Sequence, residues 1–201
     1  MKNKLWEEAE NKHQKDKFIG PLVKKWGSCT IKPISKLKYF EDLVDAICSQ
    51  QLSGKAAKTI FGRVKTLLVK VTPESILSKT DQELRDCGLS WQKATYLKDL
   101  SNRIMNNELR IMNLNKLTDE EVITELIKVK GIGRWTAEMF LMFSLGRPDI
   151  FPIDDLGIKK GFEKVTGKKW DKIKSANFAE KNWKPYRTLA CWYLWRSLEN
   201  R

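Results

Sequence analysis

Apolar residues recur along this chain at helical rather than strand spacing almost throughout. Between positions 40 and 50, Leu43, Ala46, Ile47 and Gln50 fall at i, i+3, i+4 and i+7, an apolar stripe that ends in a glutamine. A second helix is predicted from near Ser53, with Ala56, Ala57, Ile60, Phe61, Val64 and Leu67 on its inner face. Three helix starts are legible: Thr72 precedes Pro73, and Thr80 with Glu83 and Thr118 with Glu121 have the spacing of a capping box. Further helices are predicted over about 91–109, 119–128, 135–145, 156–165, 173–182 and 185–198, and two more near the N-terminus, about 5–15 and 18–26. Residues 27–38 are the least helical and read as a loop with room for a short strand. The pattern predicts an all-α single domain over 1–201, with two helical lobes around a cleft. The central lobe is expected at about 45–145, with a hairpin at 127–134, and the second is expected from about 1–40 and 150–201.

Charge narrows the partners. Lys and Arg number 38 against 25 Asp and Glu, a formal charge of +13, which favours nucleic acid or an anionic membrane surface. No apolar run approaches the ~18 residues of a spanning helix, the longest being 139–145. The N-terminal MKNKLWEEAE lacks the apolar stretch of a secretory signal, so the expected setting is a reducing compartment, cytoplasmic or nuclear. Cys29, Cys48, Cys87 and Cys191 lie far apart without a C-x-x-C pair, which predicts free, mostly buried thiols and no zinc or iron–sulfur cluster. The single histidine, His13, lies among Lys12, Lys15 and Lys17 and reads as a solvated surface ring, which argues against Ser-His-Asp and Cys-His chemistry.

The segment Leu126-Ile127-Lys128-Val129-Lys130-Gly131-Ile132-Gly133-Arg134-Trp135-Thr136-Ala137 joins two helical patterns through glycines two apart. One reading is an anion site, with free N–H groups at a helix start flanked by Lys128, Lys130 and Arg134. The other is a plain helical hairpin in which Gly131 caps the first helix. The glycine pair by itself favours neither.

The same segment resembles the helix-hairpin-helix motif of the DNA glycosylase superfamily. At the family's interval it is followed by Gly146-Arg147-Pro148-Asp149-Ile150-Phe151-Pro152-Ile153-Asp154-Asp155-Leu156-Gly157-Ile158. Three more blocks resemble the alkylpurine branch, the DNA-3-methyladenine glycosylase II type. They are Ala46-Ile47-Cys48-Ser49-Gln50-Gln51-Leu52-Ser53 with Lys55-Ala56-Ala57, Gly88-Leu89-Ser90 with Lys93, and Trp183-Lys184-Pro185-Tyr186-Arg187. The resemblance runs from about residue 40 to the C-terminus. It implies the helix-hairpin-helix glycosylase fold, without the N-terminal β-rich domain of some relatives, since too few residues precede Tyr39. It also implies a DNA-backbone role for Lys128, Lys130, Gly131, Ile132, Gly133, Arg134 and Thr136. A structural Na+ or K+ on the main-chain carbonyls of Ile127, Val129 and Ile132 would be the one cofactor, with no transition metal.

An Asp-Asp pair before a helix reads, taken alone, as an N-cap. The resemblance makes Asp155 the catalytic carboxylate, which stabilises an oxocarbenium-like transition state or orients the attacking water, and leaves Asp154 a supporting or capping role. Glycoside cleavage ordinarily uses a second, protonated carboxyl for the leaving group. A purine alkylated at N3 or N7 already carries positive charge and departs neutral, so a lone aspartate suffices. Relatives that also cut the strand have a lysine where this chain has Trp135, which implies a monofunctional hydrolase that leaves an abasic site. Trp135 and Trp195 would hold a cationic base by stacking, with Met139 and Leu156 at positions where some relatives carry tyrosine. Trp192 is expected to pack in the core or at its edge.

Extrusion of the base needs a wedge, expected from the junction at Gln50, Gln51 and Leu52. Gln51 aligns with an apolar wedge in some relatives. Leu52 could act instead, although core packing is its preferred reading, and Gln50 is expected to hold local backbone through its amide. The implied partner is double-stranded DNA containing alkylated bases, bound by a monomer without membrane association. The alternatives are a glycosylase of the same superfamily for another damaged or mispaired base, and a non-catalytic DNA-binding protein.

Overall fold

The computed structural model describes residues 4–199. Its helices are α1 (Lys4–His13), α2 (Gly20–Trp26), α3 (Tyr39–Ser49), α4 (Gly54–Leu68), α5 (Pro73–Leu77) and α6 (Asp81–Asp86), then α7 (Trp91–Met105), α8 (Asp119–Leu126), α9 (Arg134–Met139), α10 (Leu156–Thr166), α11 (Lys172–Trp183) and α12 (Arg187–Arg196). Short 3-10 turns occur at Lys36–Lys38 and Ile111–Lys116, and a π turn at Phe140–Ser144. The described residues contain no strand, so the fold is all-α. The chain divides into two compact units, residues 34–140 and residues 1–33 with 141–201.

In the 34–140 unit the predicted stripes form the core. Leu43 and Ile47 of α3 are wholly buried, with Ala57, Phe61 and Val64 of α4 beside them in the same core. Thr72, Thr80 and Thr118 each close a capping box, the first with Ser75 as its partner. Helix α7 stops at Met105, short of the predicted 109, because Asn107 takes a left-handed φ of 59°. The chain then buries Ile111 and Leu114 through a 3-10 turn.

The other unit is organised by aromatic residues. Phe162 of α10 meets Trp170, Phe178 and Trp183 edge to face, with ring centroids 5.3, 5.4 and 5.9 Å away. Helix α12 is buried on nearly every side, from Thr188 to Leu194, and packs against α10 at Gly161, where a Cβ would lie 2.5 Å from the Leu194 carbonyl. Trp192 is buried, with the Arg196 guanidinium 4.8 Å above its ring.

One expectation is corrected here. His13 is not a surface ring: it is fully buried, and its Nε2 donates to the Tyr186 carbonyl at 3.0 Å. The reason lies in α1, whose inward face is Trp6, Ala9, Glu10 and His13, a helical stripe that the surrounding lysines obscured. Burial pushes the His13 pKa below its ordinary value. The loop at 27–33 forms no strand because α1 side chains satisfy its backbone: Trp6 Nε1 donates to the Ile31 carbonyl at 2.9 Å, and Glu10 Oε1 accepts the Cys29 N–H at 2.7 Å. The four cysteines are free, Cys29 half-buried and the others buried, and burial pushes the thiols of Cys29 and Cys48 up to about 12.

Candidate active site

In the 34–140 unit, α8 and α9 are joined by the two-glycine bend. Gly131 has φ +81°, and a Cβ there would lie 2.1 Å from the Tyr96 ring, so the position requires glycine. It does not cap α8, which ends at Leu126 with Ile127 as its C-cap. Two side chains tether the bend: Asp99 Oδ2 accepts the Lys130 N–H at 2.9 Å, and the Gln50 amide donates to the Gly131 carbonyl at 2.7 Å. Burial opposes ionisation of Asp99, but the Lys130 N–H and Arg103 outweigh it and hold the carboxyl below its ordinary value. Gly133, the N-cap of α9, has an ordinary φ of −96° and nothing within 4 Å of where a Cβ would stand. One glycine therefore serves the fold, and the other leaves open space in front of a helix start.

The basic side chains of the hairpin are placed unequally. The Arg134 guanidinium forms a fork on Glu120, at 2.6 and 3.1 Å, and also reaches Glu138 at 3.2 Å, so it ties α9 to α8. Its hydrogen bonds to Glu120 raise its pKa further. Lys128 pairs with Glu125 at 2.6 Å. Lys130 is exposed, with its Nζ 4.0 Å from Asp99. Ile132 and Thr136 have buried side chains, so any part they take in binding DNA comes from backbone.

A cavity of about 670 Å³ opens beside the hairpin, with Gln50, Gln51, Leu52, Lys93, Trp135 and Met139 in its walls. Trp135 is half exposed and lies one turn before Met139 on α9. The junction after α3 turns through Gln51, which takes a left-handed φ of 57° that a side chain rarely adopts. Lys93 Nζ steadies that turn by donating to the carbonyls of Cys48 at 2.8 Å and Gln50 at 2.7 Å, the C-terminal end of α3. Burial lowers the Lys93 pKa. Lys93 was visible in the sequence only as part of a block, without a role. Core packing for Leu52 is corrected: the turn carries it out of the α3 stripe, and it is 38% exposed. Gln50 does hold backbone through its amide, across 81 residues of sequence.

The second group of residues lies in the other unit. Asp155 is the N-cap of α10 and is 8% exposed. Its Oδ1 accepts the Ile158 N–H at 2.7 Å and the Trp195 indole N–H at 2.9 Å. The cap thus leaves the same oxygen in contact with an indole from α12. Gly157 makes the indole contact possible, since a Cβ there would lie 2.7 Å from Trp195 and 3.0 Å from Asp155 Oδ1. Sequence reasoning passed over Gly157, although it stands within the quoted motif. Leu156 is 62% exposed, and Asp154 is exposed and ion-paired with Lys172 rather than capping the helix.

Among the described residues no three His, Cys, Asp or Glu side chains gather where they could hold a metal ion. The donors expected for Na+ or K+ are of another kind, the hairpin carbonyls of Ile127, Val129 and Ile132. The Val129 carbonyl accepts the Ile132 N–H at 3.1 Å and keeps a second lone pair. Neutral, hard carbonyl oxygens suit a monovalent cation.

The family described as HhH-GPD superfamily base excision DNA repair protein matches residues 44–185. DNA-3-methyladenine glycosylase 1 of Schizosaccharomyces pombe is 36% identical over 173 residues, 83% of this chain and 75% of that protein. The alkylbase DNA glycosidase-like protein mag2 of the same yeast is 34% identical over 181 residues, 87% of this chain and 85% of that protein. Among solved structures, the S. pombe 3-methyladenine DNA glycosylase in complex with abasic DNA has a TM-score of 0.80 at 34% identity, covering 94% of this chain and 96% of that one. The DNA-3-methyladenine glycosidase of Bacillus halodurans has a TM-score of 0.81 at 34% identity, covering 94% and 88%.

Proposed function

This chain belongs to the HhH-GPD superfamily of base excision DNA repair proteins, as a DNA glycosylase related to the 3-methyladenine enzymes, and we propose that it is a monofunctional hydrolase for alkylated purines in duplex DNA. The observation that carries this reading is Asp155, a nearly buried carboxylate with one oxygen held by an indole N–H and a backbone N–H. A purine alkylated at N3 or N7 leaves as a neutral molecule, so the reaction needs negative charge beside the sugar and no proton donor for the base. Asp155 supplies that charge and orients the attacking water.

The other parts take complementary tasks. The hairpin receives the DNA backbone at the open face of Gly133, with Lys130 beside it. A cation on the hairpin carbonyls would add positive charge towards a phosphate. The exposed Gln51 and Leu52 fill the gap left by the extruded nucleotide. In the 34–140 unit Trp135 and Met139 offer the base a stacking surface, and an indole at position 135 leaves no amine there to attack the sugar. The protein acts on duplex DNA as a monomer.

The test is a release assay on duplexes carrying 3-methyladenine, 7-methylguanine, 8-oxoguanine or a mismatch. The methylated purines should be released, leaving alkali-labile abasic sites and no borohydride-trapped adduct. Preferential release of the neutral oxidised base, or a trapped covalent complex, would overturn the reading.

A further inference from the structure

The chain that leads into Asp155 is gripped by the start of α12. Arg187 donates from Nε to Asp149 Oδ1 at 2.7 Å, and from Nη2 to Asp149 Oδ2 at 2.9 Å and to the Asp149 carbonyl at 3.0 Å. Its neighbour Thr188 donates its N–H to the Pro148 carbonyl at 3.0 Å. The Thr188 hydroxyl donates to the Arg147 carbonyl at 2.7 Å and accepts the Ile150 N–H at 3.0 Å. Thr188 is wholly buried. Every residue from 147 to 150 is thus tied to two consecutive residues of one helix.

The same helix holds the carboxylate at its other end. Trp195 follows Thr188 by seven residues, two helical turns or roughly 10 Å along the axis, and its N–H is the donor to Asp155 Oδ1. Gly157 keeps the space that the indole occupies. Surface loops ordinarily satisfy much of their backbone with water. Here the loop before the carboxylate and the carboxylate itself are referred to one rigid, buried rod.

We propose that Thr188 and Arg187 are positioning residues for Asp155: α12 acts as a ruler that fixes the loop at one end and the carboxylate at the other. A carboxylate displaced by a fraction of an ångström would stabilise the developing sugar cation less well without weakening DNA binding. The inference rests on the reading of Asp155 as the catalytic group.

The experiment measures single-turnover release of 7-methylguanine from duplex DNA and, separately, affinity for a duplex containing a tetrahydrofuran abasic analogue. Thr188→Val keeps the shape and removes the hydroxyl; release should fall ~10-fold or more while affinity stays within ~2-fold. Thr188→Ser restores the hydroxyl and should recover release to within ~3-fold of the parent. Trp195→Phe removes the other end of the ruler, and the double variant with Thr188→Val should lose less than the product of the two single losses, because both act through one carboxylate. Should Thr188→Val fail to fold, Arg187→Lys gives the same reading, since lysine cannot reproduce the fork on Asp149. Parental release by both Thr188→Val and Arg187→Lys, a parallel fall of release and affinity, or multiplicative losses would each overturn the ruler. An Asp155→Asn variant separates the two levels: if it is inactive while Thr188→Val and Arg187→Lys both keep parental release, the ruler fails alone, and if it releases base at the parental rate, the catalytic assignment fails.

Discussion

In residues 34–140 the features that the proposed reading offers to DNA are largely backbone: the bend at Gly131, the open helix start at Gly133 and the left-handed turn at Gln51. Polar side chains from elsewhere in that unit hold the two turns, Gln50 and Asp99 the bend at Gly131 and Lys93 the turn at Gln51. In the unit formed by residues 1–33 and 141–201 the chief feature is a side chain, Asp155, nearly buried and held by the Trp195 indole, and the same unit packs Phe162 edge to face on Trp170 and Trp183. On the proposed function the difference follows the task. A phosphate is bound by N–H groups presented at the surface, so the bend can be held by a few tethers. Stabilising a transient sugar cation demands a carboxylate fixed within a fraction of an ångström, which dense packing around a buried helix provides.

The sharpest way to break this comparison is Asp155→Asn. Asparagine caps a helix about as well as aspartate, so the melting temperature should barely change, whereas base release should fall ~1000-fold or more with DNA affinity within ~2-fold. Base release at the parental rate would remove the chemical half of the contrast. Next in size is Gly131→Ala, which forces a Cβ into the Tyr96 ring at a left-handed φ and should lower stability by ~2–4 kcal/mol in urea unfolding.

Gly133→Ala sharpens the contrast within the hairpin itself. Its backbone conformation suits any residue and its Cβ meets nothing, so stability should change by less than ~0.5 kcal/mol. DNA affinity should nevertheless fall ~10-fold, because the methyl occupies the space where a backbone phosphate approaches. Unchanged affinity by fluorescence anisotropy would show that DNA rests elsewhere.

The smallest effect is a pH dependence in the aromatic unit. Burial depresses the pKa of His13, so as pH falls through its unfolded value of about 6.5 the unfolded chain gains a proton that the folded chain refuses. Stability should therefore decline on acidification below about pH 6.5 and level off once the pH is under the folded value. Melting curves between about pH 8 and 5 should show this decline, and His13→Gln should abolish it. A decline that persists in the variant would assign it to other groups.

Much of this architecture was legible beforehand. The stripe of Leu43 and Ile47, the three threonine caps and the glycine pair are local, since each depends on residues within a turn or two of one another. Reading failed where local character misled. His13 stands among lysines yet lies on the inward face of α1. Leu52 is apolar yet follows a left-handed turn out of the core. The partner of Arg134 in the free protein, Glu120 fourteen residues earlier, was likewise not legible.

Helix periodicity and caps determined the all-α class, because these rest on short-range backbone geometry, and the order of motifs carried the resemblance that named the family and proposed Asp155, which local spacing alone reads as an N-cap. Only the tertiary structure decided which donors meet which acceptors: Trp195 on Asp155 across 40 residues, Thr188 on Arg147 across 41, and Gln50 on Gly131 across 81. Hydrogen bonds of that range are selected by how helices pack and by the space that Gly157 and Gly131 leave open. Side-chain identity states what a group can donate or accept, and packing chooses its partner.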